Sequence, residues 1–253
     1  MILDNQAQLN MFYDEPVSFK GLKLYPVKMR KYFQFFTVAD ILVIDKNSIP
    51  DINIISKTYL AYLIEESNSD NLHIDKLDVV LRLALKDYES ERKIRFLTDN
   101  NGGCFIEIDD NIVLDSKDFE YIRTVIANQN VLSIPNEKIE KSLRDAMEES
   151  NRVRQKIQGN KTASLEDQMI AVMISTGIAM EDIYGMTIRK FTKAIERIDH
   201  KLHYELYLAA TLNGTTFKGK SPVKHWLSDL ERDKFEGLVK YEEIESKIAG
   251  AKV

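Results

Sequence analysis

The spacing of apolar positions changes along the chain, and each change marks a different kind of element. Leu22-Lys23-Leu24-Tyr25-Pro26-Val27 alternates apolar with polar, which predicts a short strand. Pro26 confines that strand to a sheet edge or to an end. Over residues 31–45, Phe35, Val38, Ile41 and Leu42 recur at helical intervals. The turn residues of 45–50 close that segment. A second amphipathic helix is predicted over 55–66, with Tyr59, Leu60, Tyr62 and Leu63 on its apolar side. A third, rich in Leu and Val, is predicted over 76–86. Residues 1–20 are polar and irregular and read as a loosely held arm.

The period then shortens to two. Lys93-Ile94-Arg95-Phe96-Leu97-Thr98 alternates, and Asp99-Asn100-Asn101-Gly102-Gly103 supplies the left-handed positions of a tight reversal. Phe105-Ile106-Glu107-Ile108 returns, and Asp109-Asp110-Asn111 turns again into Ile112-Val113-Leu114. This predicts a three-stranded antiparallel meander. Ser116 is the expected N-cap of a following helix through about Asn128, with Phe119, Ile122, Val125 and Ile126 on one face.

Residues 137–158 are dense in Glu, Lys, Arg and Gln, with few large apolar side chains to bury. They read as a solvated connector helix. Beyond it every signal is helical. Ser164 with Asp167 forms a capping box, and Gly177 is the C′ residue of that helix. A short helix over 180–184 follows. Thr187 then caps a long helix from Ile188 to about Asn213, ended by Gly214. Its stripe is Ile188, Phe191, Ile195, Ile198, Leu202 and Leu206. Ser221-Pro222 opens a further helix through Trp226 and Leu230, and residues 236–249 form the last one. The expected fold is α+β. An N-terminal α+β module carrying the meander (1–135) leads through a charged helical connector (136–163) to an all-α module (164–253).

Composition removes several function classes. The chain has 253 residues, a net charge of -5, one Cys, four His, one Trp, ten Gly and five Pro. One cysteine, Cys104, excludes a disulfide framework and a multi-cysteine zinc site. It is expected as a packed thiol at the start of a hairpin strand. The mild acidity argues against a nucleic-acid-coating protein. Residues 164–253 hold 13 Lys+Arg against 14 Asp+Glu, so the helical break at Gly177 carries no phosphate footprint. No run approaches the roughly 18 apolar residues of a spanning helix. The first six residues show neither a basic nor an apolar segment of a secretory signal. A cytosolic, reduced setting is expected, with no membrane or nucleic-acid partner.

Two patterns resemble reactive sites. Residues 214–221, Gly214-Thr215-Thr216-Phe217-Lys218-Gly219-Lys220-Ser221, match the P-loop expression in full. A strand must lead into such a loop, and a helical pattern does so here. Pro222 also lacks the N–H that the following helix should offer to phosphate. The match is therefore read as coincidence. Glu196, Asp199, His200 and His203 share neighbouring helical turns, as metal ligands or a general base would. They are read instead as a solvated face with a weak Asp199–His203 pair. No serine has a nucleophile-elbow setting. The expectation is a protein with no catalytic site, no metal and no cofactor. Its contact residues are then the aromatic and polar-tipped side chains Phe217, His225, Trp226, Tyr184 and Tyr204.

Several stretches carry a family resemblance. They are Asp118-Phe119-Glu120-Tyr121-Ile122-Arg123, Ser164-Leu165-Glu166-Asp167-Gln168, and Asp182-Ile183-Tyr184-Gly185-Met186-Thr187-Ile188-Arg189-Lys190-Phe191. They continue with Lys201-Leu202-His203-Tyr204-Glu205-Leu206-Tyr207, and with Phe217-Lys218-Gly219 ahead of His225-Trp226. Over residues 92–235 the chain resembles tail and baseplate assembly proteins of tailed bacteriophages, of the hub-assembly or tail-assembly-chaperone kind. That resemblance implies a non-enzymatic protein of the host cytoplasm or the virion tail, which binds other tail or baseplate proteins. A permanent structural tail component is the alternative it leaves open. A P-loop nucleotide-binding protein is the disfavoured one.

Overall fold

The meander forms because its turns suit left-handed backbone. The computed structural model describes residues 3–46, 49, 51–67, 72–86, 92–99, 102–135, 163–216 and 225–228. Strands β3 (Ile94–Thr98), β4 (Cys104–Ile108) and β5 (Ile112–Leu114) pair antiparallel in that order. Gly102 (φ 79°) sits in the first turn, and Asp109 (φ 55°) and Asp110 (φ 60°) make the second. Cys104, Ile106 and Ile108 alternate inward on the central strand, so one face of the sheet is buried. Cys104 opens that strand as a buried thiol.

Helix α6 (Ser116–Gln129) lies over this face, with Phe119, Ile122, Val125 and Ile126 fully buried. Its N-cap is Asp115, one residue before the expected Ser116. The Asp115 carboxylate accepts from the backbone N–H of Lys117 (2.8 Å) and Asp118 (2.9 Å). The Asp118 carboxylate accepts in return from the Asp115 N–H at 3.0 Å. Those backbone donors, the Asp118 N–H foremost, hold the Asp115 carboxyl below the ordinary aspartate range. A depressed carboxyl stabilises the fold above its unfolded pKa and loses that contribution as pH falls through its folded one. Asp115→Ala is therefore expected to cost about 1 kcal/mol at neutral pH. The gap from wild type should close as pH drops below ~3.9. Urea unfolding at both pH values measures it, and a gap that persists in acid would contradict the cap.

Residues 3–20 are not the loose arm that the sequence pattern predicts. Helix α1 (Asn5–Phe12) is capped by Asp4 and buries Ala7 and Met11, four residues apart. Two apolar positions among polar ones leave only a weak periodic signal. Strand β1 (Val17–Phe19) then pairs antiparallel with β2 (Leu22–Leu24), Val17 opposite Leu24. Lys20 (φ 45°) and Gly21 (φ 81°) form the two-residue reversal. The end of α6 pins this short hairpin: Gln129 donates to the Leu24 carbonyl (3.0 Å), and the Val27 N–H donates to the Asn130 side chain (3.1 Å).

The helix expected over 31–45 is broken. A 3₁₀ turn (Met29–Lys31) runs into α2 (Tyr32–Phe36), and a second 3₁₀ turn (Ala39–Leu42) follows. Crowded aromatics and the β-branched Thr37 and Val38 are weak helix formers. The segment 55–66 is likewise two helices, α3 (Ile52–Ser56) and α4 (Tyr59–Glu66). Thr58 is the cause, since its hydroxyl accepts from the Ala61 N–H and starts α4 afresh. The buried Lys46 ammonium closes α3 by donating to the Ile55 (3.0 Å) and Lys57 (2.5 Å) carbonyls. Helix α5 (Leu72–Leu85) starts four residues before the periodicity suggested.

The later helices start at their predicted cap residues, but the box predicted at Ser164 is half made: the Asp167 carboxylate accepts from the Ser164 hydroxyl at 2.7 Å and not from its backbone N–H. Helix α7 (Leu165–Thr176) starts at Ser164, whose hydroxyl accepts from the Asp167 N–H, and ends at Gly177 (φ 72°). Helix α8 (Met180–Gly185) follows, then α9 (Ile188–Leu212), with Thr187 accepting from the Lys190 N–H. Packing divides the chain into two compact units, Met1–Ile198 and Asp199–Val253. Helices α7 and α8 therefore share a unit with the meander. Within it, Met29 donates to the Met186 carbonyl (2.8 Å), Ile188 to that of Val27 (2.9 Å), and Arg189 to that of Asn128 (2.9 Å). Asp14 accepts from the Thr187 hydroxyl and pairs with Lys190. Of the connector predicted at 136–163, all but Ala163 lies outside the described residues, as does the helix predicted over 236–249. Of the helix predicted from Ser221 through Leu230 only 225–228 are described, and they form a turn instead, closed by the Ser228 N–H donating to the His225 carbonyl at 2.8 Å.

Candidate contact surface

Burial along α9 is uneven although its apolar stripe is continuous. Ile188 and Phe191 are buried, and Ile195 and Ile198 pack half-buried on the core of their unit. Leu202 and Leu206 continue the same stripe and are 54% and 69% exposed. Leu212, near the helix end, is 87% exposed. Scattered exposed apolar residues are ordinary, but a stripe of them on one helix is the pattern of a contact face.

Three of the five expected contact residues come together in the second unit. The Tyr204 ring meets the His225 ring edge-on at 5.0 Å. His225 in turn stacks with Trp226 at 6.1 Å. The Leu227 N–H donates to His225 Nδ1 at 3.2 Å, which fixes the imidazole orientation and leaves Nε2 to carry the proton of the neutral ring. His225 is exposed, and Tyr204 and Trp226 are half-buried. A cluster of rings with polar tips, one pair edge-on and one stacked, is suited to gripping an apolar or aromatic side chain. Tyr184 lies on α8 in the first unit, where it is exposed. Phe217 lies outside the described residues.

Two further groups of exposed aromatic residues are not marked by the sequence pattern. Phe12 and Tyr13 are exposed and meet edge-on at 5.1 Å. Phe33 and Phe36 are exposed on α2, with Tyr32 stacked on Phe36 at 5.5 Å. Phe35 alone of that run enters the core. The signal was present: Phe33 and Phe35 are two residues apart and cannot share a helix face.

The reactive readings meet specific geometry. Helix α9 leads directly to Gly214 (φ 85°). The Gly214 N–H donates to the Thr211 carbonyl and the Thr215 N–H to that of Ala210, each at 3.0 Å. This is a Schellman closure of the helix. The motif is thus entered from a helix, where a phosphate loop is entered from a strand. Residues 217–221 of that motif lie outside the described residues. Asp199 lies 3.4 Å from His203 Nδ1, the weak pair that the helical spacing predicted. Among the described residues no group of three His, Cys, Asp or Glu side chains is placed to hold a metal ion. No helix among them is long and apolar enough to cross a membrane.

The architecture is thus an α+β protein whose helical part presents apolar and aromatic side chains outward. A family model described as YomV second domain matches residues 156–231. The match points to a phage protein. No curated protein and no solved structure matches the chain. The matched segment contains α7, α8 and α9, the exposed end of the stripe, and all five expected contact residues.

Proposed function

We propose that this chain is a non-enzymatic assembly protein of a tailed phage. It acts in the host cytoplasm and binds other tail or baseplate proteins, holding an apolar segment of a tail subunit until assembly. The observation that carries this reading is the Tyr204–His225–Trp226 ring group, which lies inside the segment matched by the phage family model. Helix-in-groove and side-chain-in-pocket recognition both use such surfaces. The acidic balance and the near-neutral helical region favour a protein partner over nucleic acid.

The test is affinity capture of the tagged full chain from infected cells, with the partner then purified for titration calorimetry. Tail or baseplate subunits are expected in the capture. Trp226→Ala should weaken the purified complex by on the order of 2 kcal/mol, about thirtyfold in Kd. Unchanged circular dichroism would show that the variant is folded. A Kd within twofold of wild type would remove Trp226 from the contact.

A further inference from the structure

We propose that the distal part of α9 pairs antiparallel with the same segment of a second copy of this chain. This does not rest on the functional reading above, and it involves residues of the second unit only. At about 100° per residue, Leu202, Leu206 and Ala209 lie within one narrow stripe. All three are exposed. Lys201 and Glu205 occupy one flank of that stripe, and Asp199 and His203 the other. The structure records both same-flank pairs within the chain, Lys201–Glu205 at 3.6 Å and Asp199–His203 at 3.4 Å.

A flank that carries one acid and one base is complementary to itself when reversed. In an antiparallel pair, like flanks face each other across the seam. A two-fold axis between Leu202 and Leu206 sets Leu202 of one copy against Leu206 of the other. Lys201 then stands about 3 Å in axial offset from the other copy's Glu205, and the pair occurs twice. In a parallel pair the flanks are exchanged. Lys201 would face Asp199, and Glu205 would face an imidazole instead of an ammonium. Antiparallel helix dipoles add to the preference. Such an interface is isologous and closes on two copies. Flank charges of this kind set orientation in paired helices.

Sedimentation of the full chain over a concentration series tests this. A concentration-dependent dimer is expected. Leu206→Asp should weaken it roughly a hundredfold. Lys201→Glu and Glu205→Lys should each weaken it about fivefold, and the double swap should return it to within about twofold of wild type. Unchanged helicity by circular dichroism shows that each variant is folded. A monomer at every concentration would overturn the proposal. A dimer indifferent to Leu206→Asp would overturn it too. A double swap that fails to rescue would exclude the antiparallel arrangement.

Discussion

Arg123→Ala is expected to destabilise the protein by about 2–4 kcal/mol. Arg123 is a fully buried side chain on α6. Its Nε donates to the Leu42 carbonyl at 2.7 Å, and Nη1 pairs with Glu120 at 3.1 Å. The guanidinium lies over the Tyr59 ring, 3.4 Å from its centre. Burial, the largest influence, pushes the Tyr59 hydroxyl up to about 12, so the guanidinium meets a neutral phenol. That hydroxyl donates to the Ile41 carbonyl and accepts from the Ile44 N–H. Arg123 and Tyr59 together thus satisfy the backbone where the 3₁₀ turn Ala39–Leu42 ends. Alanine would leave the buried Leu42 carbonyl unmet and open a void beside the ring. Urea unfolding followed by circular dichroism measures the loss, and a change under 1 kcal/mol would mean that water replaces the guanidinium.

Phe119→Ala should cost a similar amount, about 3–5 kcal/mol, for a different reason. Phe119 is completely buried on α6, and its ring stacks with Tyr59 of α4 at 6.5 Å. Truncation removes a large apolar side chain from the packed core and leaves a cavity beside Tyr59. Both substitutions touch Tyr59, so they should not add. The double variant is expected to lose less than the sum of the single losses, by 0.5 kcal/mol or more. Strict additivity would show that the two residues act through separate contacts.

The meander was legible because its signal is local: alternating strands around residues that tolerate left-handed backbone. The caps at Ser164, Gly177, Thr187 and Gly214 were legible for the same reason. What stayed hidden depends on tertiary contact. Asp4 and the hairpin at Lys20-Gly21 organise the first twenty residues, but their apolar partners, Ala7, Met11 and Val17, are few and widely spaced. Thr58 splits one apparent helix because a capping hydroxyl outweighs continuous apolar periodicity. Arg123 reads in sequence as a surface residue of an amphipathic helix. Only the position of the Leu42 carbonyl explains its burial.

The candidate contact surface is half legible in the sequence. Aromatic, polar-tipped residues flagged Tyr204, His225 and Trp226, and the structure brings these together. The stripe of α9 was visible as periodicity, yet periodicity reads the same for a buried face and a bare one. The exposure of Leu202 and Leu206 is a property of where the surrounding packing stops. Exposed Phe12, Phe33 and Phe36 went unnoticed because aromatics ordinarily signal core.

An assembly role makes one demand that other readings do not: the protein must hold tail components during infection. The most direct measurement is quantitative mass spectrometry of two fractions from one infection, the material captured on the tagged full chain and the purified virions. The expected result is tail or baseplate subunits enriched with the chain, and the chain itself absent or far below stoichiometric amounts in virions. Stoichiometric presence in virions would mark a permanent tail component, and capture without any tail or baseplate protein would contradict the assembly role altogether.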